Sequence, residues 1–224
     1  MVLAVANYNW DFGLVLSYTN LWAKGLGVTL AYSVGTVLGG MIIGVICGLL
    51  LLVRSRWVTL PVHYYVEIFR CTPLLVQIVW FYYALPIVLQ FELPAWLAAG
   101  LGLMLYMGAF ATEIFRAGII SIDKGQWQAS RALGMTNAEM MRHIILPQAI
   151  KRMVPPFVNQ SIIQLKNTSL LYVVAVPDLM YTGAIVVSDT FRPLEVYTSV
   201  ALAYFAILYP LTLYATRLEA RVDQ

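Results

Sequence analysis

The chain has 224 residues, of which 61% are hydrophobic and only 11% charged, and its formal net charge is +3. Soluble domains average about 25% charged residues, so a water-soluble globule is excluded, because a fold of this size cannot hide that much apolar surface. The small net charge gives no footing for nucleic acid binding; the composition is that of a polytopic membrane protein.

Residues 1–23 are rich in aromatics. Tyr8, Trp10, Tyr18 and Trp22 suit a membrane-interface belt. The opening "MVLAVANYNWDFG" lacks a basic stretch and a long apolar run, so the first span, rather than a cleaved signal, is expected to direct insertion. Five apolar segments follow, at 24–53, 60–85, 93–120, 153–176 and 194–216. Each exceeds the ~20 residues a helix needs to cross the hydrocarbon core. The first carries Gly35, Gly39, Gly40, Gly44 and Gly48, spacings that let membrane helices approach closely. Pro86 and Pro177 are expected to stop the second and fourth spans, and Pro210 to kink the fifth. Cys47 and Cys71 lie in apolar stretches without disulfide or metal spacing and read as small core residues.

Five spans put the termini on opposite sides. One set of connections holds Arg54, Arg56, Arg116, Lys124, Arg131, Arg142, Lys151, Arg152, Arg217 and Arg221, ten of the fourteen basic residues. The other holds Lys24 and Arg192 against five carboxylates: Asp11, Glu92, Asp178, Asp189 and Glu195. The positive-inside rule then places the N-terminus outside and the C-terminus in the cytoplasm.

The inside connection at 117–152 is far longer than the others. Its residues 126–133 are good helix formers, Gly134 suits a left-handed helix stop, and Thr136 to Glu139 reads as a capping box opening a second helix. Met140, Met141, Ile144 and Ile145 give that helix an apolar face, and Pro147 is expected to break it. Such a loop either caps the bundle or offers a docking surface.

Gln128-Ala129-Ser130, three residues, Gly134, nine residues, Ile144, one residue, Leu146-Pro147 resembles the E-A-A-x₃-G-x₉-I-x-L-P loop of bacterial ABC importer permeases. Gln128 for Glu and Ser130 for Ala are the departures. "YVEIFRCTPLLVQ", "ATEIFRAGI", "GQWQASRALGM" and "QLKNTSLLYVV" narrow the resemblance to permeases for polar amino acids, with opine importers as relatives. It covers nearly the whole chain after about Gly25. It implies an all-α membrane protein, a single permease domain over 1–224 with five transmembrane helices of the type I importer fold, in the bacterial inner membrane. It also implies partners: a second permease subunit, identical or similar; a dimer of ATPase subunits; an extracytoplasmic solute-binding protein; and the solute. The loop would carry the coupling helix, with Gln126, Gln128, Ala129, Ser130, Leu133 and Gly134 against the ATPase. No P-loop occurs in the sequence, so the chain is expected to be no enzyme and to hold no cofactor, with ATP and magnesium on the ATPase.

Arg70 and Lys166 fall within spans. Lys166 is the fourteenth residue of its span, about 20 Å from the cytoplasmic end at ~1.5 Å per residue. A charge facing lipid at that depth costs at least about 2.5–3.5 kcal/mol, so both must meet protein or water. Glu67, one turn from Arg70, either pairs with it or contacts solute. Glu113 lies one turn from Arg116, which is expected to snorkel to the interface. Glu67, Arg70, Lys166, Asn167 and Ser169 form the candidate solute pocket, since a solute carboxylate would partner the cations. Gln160, Gln164 and Asn167 share one arc, no face of the fourth span is wholly polar, and Pro155 and Pro156 favour local irregularity. The charges lean slightly towards an acidic or dicarboxylate amino acid or an opine. The rival readings are an ion- or proton-coupled carrier using Glu67 or Glu113, a Ser169–Lys166 membrane enzyme, and a partner subunit that binds no solute.

Overall fold

The computed structural model describes residues 8–222; the first part of the expected interfacial segment lies outside them. The described residues form helices without strands. These are α1 (Phe12–Leu16), α2 (Thr19–Leu50), α3 (Arg56–Cys71), α4 (Leu74–Leu89), α5 (Ala95–Ile120), α6 (Lys124–Ala132), α7 (Asn137–Met140), α8 (Leu146–Asn167), α9 (Leu179–Thr190) and α10 (Pro193–Val222). Three of them, α2, α5 and α10, are long and apolar enough to cross a membrane. The count reaches five if the bent pair α3–α4 and the bent run from α7 through α9 are each one span.

Helix α2 packs on α5 through its glycines. A Cβ at Gly44 would lie 2.3 Å from the Cβ of Ala111, and one at Gly40 would lie 2.5 Å from Met107. Gly48 meets Phe115 in the same way. Numbers rise together along the seam, so α2 and α5 run parallel. Against α5, α8 runs antiparallel: Gly118 faces Met153, and Gln164 reaches the Leu103 carbonyl. Helix α10 reverses again, since Asn159 of α8 donates to Glu219 near the C-terminal end of α10. First and third spans pointing the same way require one net crossing between them, which α3 and α4 supply.

That crossing is not one straight helix. It breaks at Thr72–Pro73, where the chain bends by 109° from α3 to α4. Pro73 forces Thr72 into extended backbone (φ −106°, ψ 135°). Gln77 repairs the break: its buried amide nitrogen donates to the carbonyls of Phe69 and Thr72, both at 2.9 Å. In lipid such carbonyls would otherwise go unsatisfied. Pro86, expected to stop this span, lies inside α4, which ends at a left-handed Gln90 (φ 55°).

Pro147 also fails to break its helix. The five residues Met141–Ile145 form a π-helical turn, and Pro147 enters at the start of α8 immediately after it. The wider turn removes the need for the hydrogen bond that proline cannot donate. Pro155 and Pro156 sit within unbroken α8. The irregularity expected in this span appears later, where α8 tightens into a 3₁₀ helix over Thr168–Val174, ended by a left-handed Ala175 before Pro177.

The aromatic N-terminal segment does more than float at an interface. Trp22 donates its indole N–H to the Val15 carbonyl at 3.0 Å, and Tyr18 donates to Asp189. The Tyr8 hydroxyl and the Asp11 N–H reach Glu195, which is fully buried and paired with Arg192 at 2.8 Å. Asp11, Asp189, Arg192 and Glu195, assigned to one side from sequence, thus meet at one end of the bundle.

Gly44→Val should lower the yield of monodisperse protein in mild detergent and its thermal midpoint, since overpacking costs about 1–3 kcal/mol. Gly27→Ala, where an added methyl meets nothing within 4 Å, should leave both unchanged. Equal behaviour of the two variants would show that the seam tolerates a gap.

Candidate functional site

At the end of α3, just before the break, Arg70 turns toward α5. Its Nη1 lies 3.7 Å from Glu113 Oε2, and its guanidinium carbon 5.7 Å from the centre of the Phe110 ring. Glu113 also accepts two hydrogen bonds from Arg116, Nε at 3.1 Å and Nη2 at 2.8 Å. Arg70 therefore pairs across helices rather than with Glu67, which accepts only a thiol contact from Cys71 at 3.5 Å. Nor does Arg116 stretch to the interface alone; its fork is closed on Glu113.

Arg70, Phe110 and Glu113 line a cleft of about 580 Å³ between α3, α5 and α8, together with Arg152, Asn159 and Gln160. Arg152 donates to the Ser121 carbonyl. Among the lining residues two guanidinium groups, Arg70 and Arg152, stand against one carboxylate, Glu113, so the lining carries excess positive charge. Gln160 is only 6% exposed, and its amide nitrogen has no partner.

Along α8 the same arc continues upward. Gln164 is wholly buried, and its Nε2 donates to Thr36 Oγ1 at 3.0 Å and to the Leu103 carbonyl at 2.9 Å. Its Oε1 has no partner, and neither has the buried Nδ2 of Asn167, beside the Tyr106 hydroxyl. Gln160, Gln164 and Asn167 therefore form a file of buried amides with unused hydrogen-bonding capacity. Asn167 ends α8 where the 3₁₀ turn begins. The backbone is thus irregular where a solute could be read.

Of the expected pocket residues, only Arg70 lines the cleft. Lys166 is exposed on the flank of α8 and pairs with no carboxylate among the described residues. Ser169 spends its hydroxyl on the Lys166 carbonyl at 2.8 Å, and Glu67 faces outward from α3. Glu113, Arg152, Asn159 and Gln160 were missed as site residues. The one hint was the amide arc.

The loop forms a rigid projection. Asp123 caps α6 by accepting from the Gly125 N–H, and Gly134 (φ 75°) ends it. The N–H groups of Gly134 and Met135 return to the carbonyls of Arg131 and Ser130, at 3.0 and 3.2 Å, a closure that requires the left-handed residue. Thr136 and Glu139 form the expected capping box. The backbone N–H and hydroxyl of Thr136 hold the Glu139 carboxyl below the usual carboxylate range. Trp127 and Met135 pack beneath, against a core containing Met140, Ile145 and Met153. Gln126, Gln128, Ala129, Leu133 and Gly134 stay exposed, Leu133 at 81%. Ser130 does not: it is buried, and its hydroxyl donates to the Gln126 carbonyl at 2.7 Å.

Comparison with known proteins places this architecture. The glutamine transport system permease protein GlnP of Escherichia coli K12 is 35% identical over 214 residues, 95% of this chain and 97% of its own length. The probable glutamine ABC transporter permease protein GlnM of Bacillus subtilis is 38% identical over 92% of this chain and 94% of its own. The crystal structure of an amino acid ABC transporter with histidines superposes at a TM-score of 0.90, with 34% identity, covering 96% of this chain and all of that one. The MetNI methionine ABC transporter, in an inward-facing conformation, shares the fold at 21% identity and a TM-score of 0.75. Residues 40–224 match the family described as the inner membrane component of binding-protein-dependent transport systems. This chain belongs to that family and is a multi-pass protein of the inner membrane.

Proposed function

We propose that the chain is the permease subunit of an ABC importer for a polar amino acid or related solute, forming the translocation path and coupling it to ATP hydrolysis on a separate subunit. The observation that carries this reading is the cationic cleft of Arg70, Glu113 and Arg152 continuing into the amide file Gln160–Gln164–Asn167. The cations suit a carboxylate, and the unpartnered amides suit the remaining polar groups of an amino acid. The names of the relatives support an amino acid; the excess of arginines supports the slight lean towards an acidic or dicarboxylate solute or an opine. Arg70 and Asn167 are the solute-reading residues of this proposal, with Glu67, Lys166 and Ser169 at its margin, where a second permease subunit would face them.

In this reading the end bearing Asp11, Asp189 and Glu195 faces outward with the N-terminus, and the α6 end faces the cytoplasm with the C-terminus. The parallel course of α2 and α5 supports the alternation. The solute-binding protein docks near 85–94 and 177–193. The ATPase dimer, with its ATP and magnesium, grips α6 through Gln126, Gln128, Ala129, Leu133 and Gly134, while Ser130 faces the packed underside of the helix. A motor acts only by favouring one conformation over another, and a projection packed onto the inner ends of α5 and α8 transmits its movement directly. Glu113, committed to two guanidinium groups, is badly placed to carry a proton, which weighs against an ion-coupled carrier.

The tagged chain should copurify with a stoichiometric P-loop ATPase, and the complex in proteoliposomes should take up an amino acid only with ATP inside. Uptake without ATP by a chain that purifies alone overturns the importer reading. Arg70→Gln should lower ATP-dependent uptake at least roughly tenfold with the complex intact, because a hydrogen bond to a charged group is worth about 1.5–3 kcal/mol. Unchanged uptake removes Arg70 from the path. Gly134→Asp, which forces a Cβ and an anion onto a left-handed turn at the exposed face, should abolish copurification of the ATPase or uncouple it. Normal coupled transport in that variant sinks the assignment of α6.

A further inference from the structure

Helix α9 ends in a turn whose side chain makes it costly. Phe191 closes the helix in the left-handed region (φ 54°, ψ 31°), its N–H returning to the Val187 carbonyl at 2.8 Å. Glycine enters this region freely, and residues with a Cβ seldom do. The turn after α6 uses Gly134 for the purpose (φ 75°). At the end of α9 stands instead the bulkiest of the three left-handed non-glycine residues among the described ones, Gln90, Ala175 and Phe191. Its ring is 86% exposed, so the chain recovers little burial in return for the strain. An observed backbone outlier of this kind points to a role outside the fold itself.

The turn that carries the ring is held from both sides. Thr190 donates its hydroxyl to the Val186 carbonyl at 2.7 Å, and Tyr18 donates to Asp189. Arg192 donates to the Asn9 carbonyl and to Glu195, each at 2.8 Å. Pro193 opens α10 with its backbone angle already fixed. A ring presented on a fixed turn has little freedom left to lose on docking. Exposed aromatic side chains that become buried on association are the common anchors of protein interfaces. Lipid is the other apolar partner at hand. Interfacial belts use tryptophan and tyrosine, whose polar edges reach the headgroups. Phenylalanine has no such edge, and the charges of Asp189 and Arg192 beside it resist burial in hydrocarbon. The family to which the chain belongs transports in dependence on a binding protein, which supplies a soluble partner for an outward turn.

We infer that Phe191 is the anchor on which the solute-binding protein docks, its ring filling an apolar socket on that protein. The inference rests on the proposed outward placement of this end and narrows the docking surface within 177–193 to one side chain.

The test uses the intact complex of permease and ATPase subunits in nanodiscs. Purified solute-binding proteins from the same organism, each supplied with amino acids, are screened for stimulation of ATP hydrolysis by the wild-type complex, and the one that stimulates becomes the probe. Phe191→Ala should raise the probe concentration for half-maximal stimulation at least about tenfold, with ATP hydrolysis in the absence of probe unchanged. Phe191→Tyr keeps the ring and should stay within about twofold of wild type. Phe191→Gly should weaken docking as the alanine variant does, while its thermal midpoint matches or exceeds wild type, because glycine relieves the left-handed backbone and removes little packing. Unchanged half-maximal stimulation in Phe191→Ala overturns the anchor and leaves the ring to the membrane surface. A lowered midpoint in Phe191→Gly makes the ring a prop of the fold and overturns it as well. If no binding protein stimulates the wild-type complex, the importer reading itself fails and the anchor with it, a result distinct from a probe that stimulates wild type and Phe191→Ala alike.

Discussion

The glycine seam between α2 and α5 carries the rest of the bundle. Among lipid tails no hydrophobic drive pushes helices together, so close backbone approach and the contacts it permits must supply the attraction. Gly40, Gly44 and Gly48 bring α2 onto Met107, Ala111 and Phe115 without intervening side chains. Once that pair is fixed, Gln164 anchors α8 to both members at once through Thr36 and the Leu103 carbonyl. Thr29 anchors the start of α9 to the same helix.

The irregular places are where chemistry gathers. Helices can break within a membrane only if freed polar groups find partners inside the protein. Gln77 supplies them at Thr72–Pro73, and the break leaves Arg70 at the end of α3, free to reach Glu113. At the other break, α8 becomes 3₁₀ beside Asn167, and the orphaned amides lie on the arc leading to it. Polar side chains thus gather at both breaks: Gln77 satisfies freed carbonyls at one, and Gln164 ties the helix leading to the other onto its neighbours.

The projecting loop follows a different rule, that of a small soluble motif. Its caps, its left-handed glycine and its underlying Trp127 and Met135 fix α6 relative to the inner ends of α5 and α8. A packed core containing Ile119, Met140, Ile145 and Met153 links them.

By itself the sequence determined the membrane character, the positions of the apolar segments, the loop with its capping box and Gly134 stop, and the family. These are written in composition, periodicity and short-range spacing, which act within a few residues. It did not determine that Pro73 rather than Pro86 interrupts the second span, that a π turn absorbs Pro147, or that Arg70 pairs with Glu113 rather than Glu67. Two carboxylates within reach of one arginine look alike when only the chain is known. Which is met depends on how α3 turns at its break and which face of α5 the glycine seam leaves open, and those are settled by contacts between residues far apart in the chain. For the same reason only the tertiary structure brought Thr29 of α2 to the Leu179 N–H and Gln164 of α8 to Thr36 and the Leu103 carbonyl, since the partners come from different elements and none carries a local signal of the others.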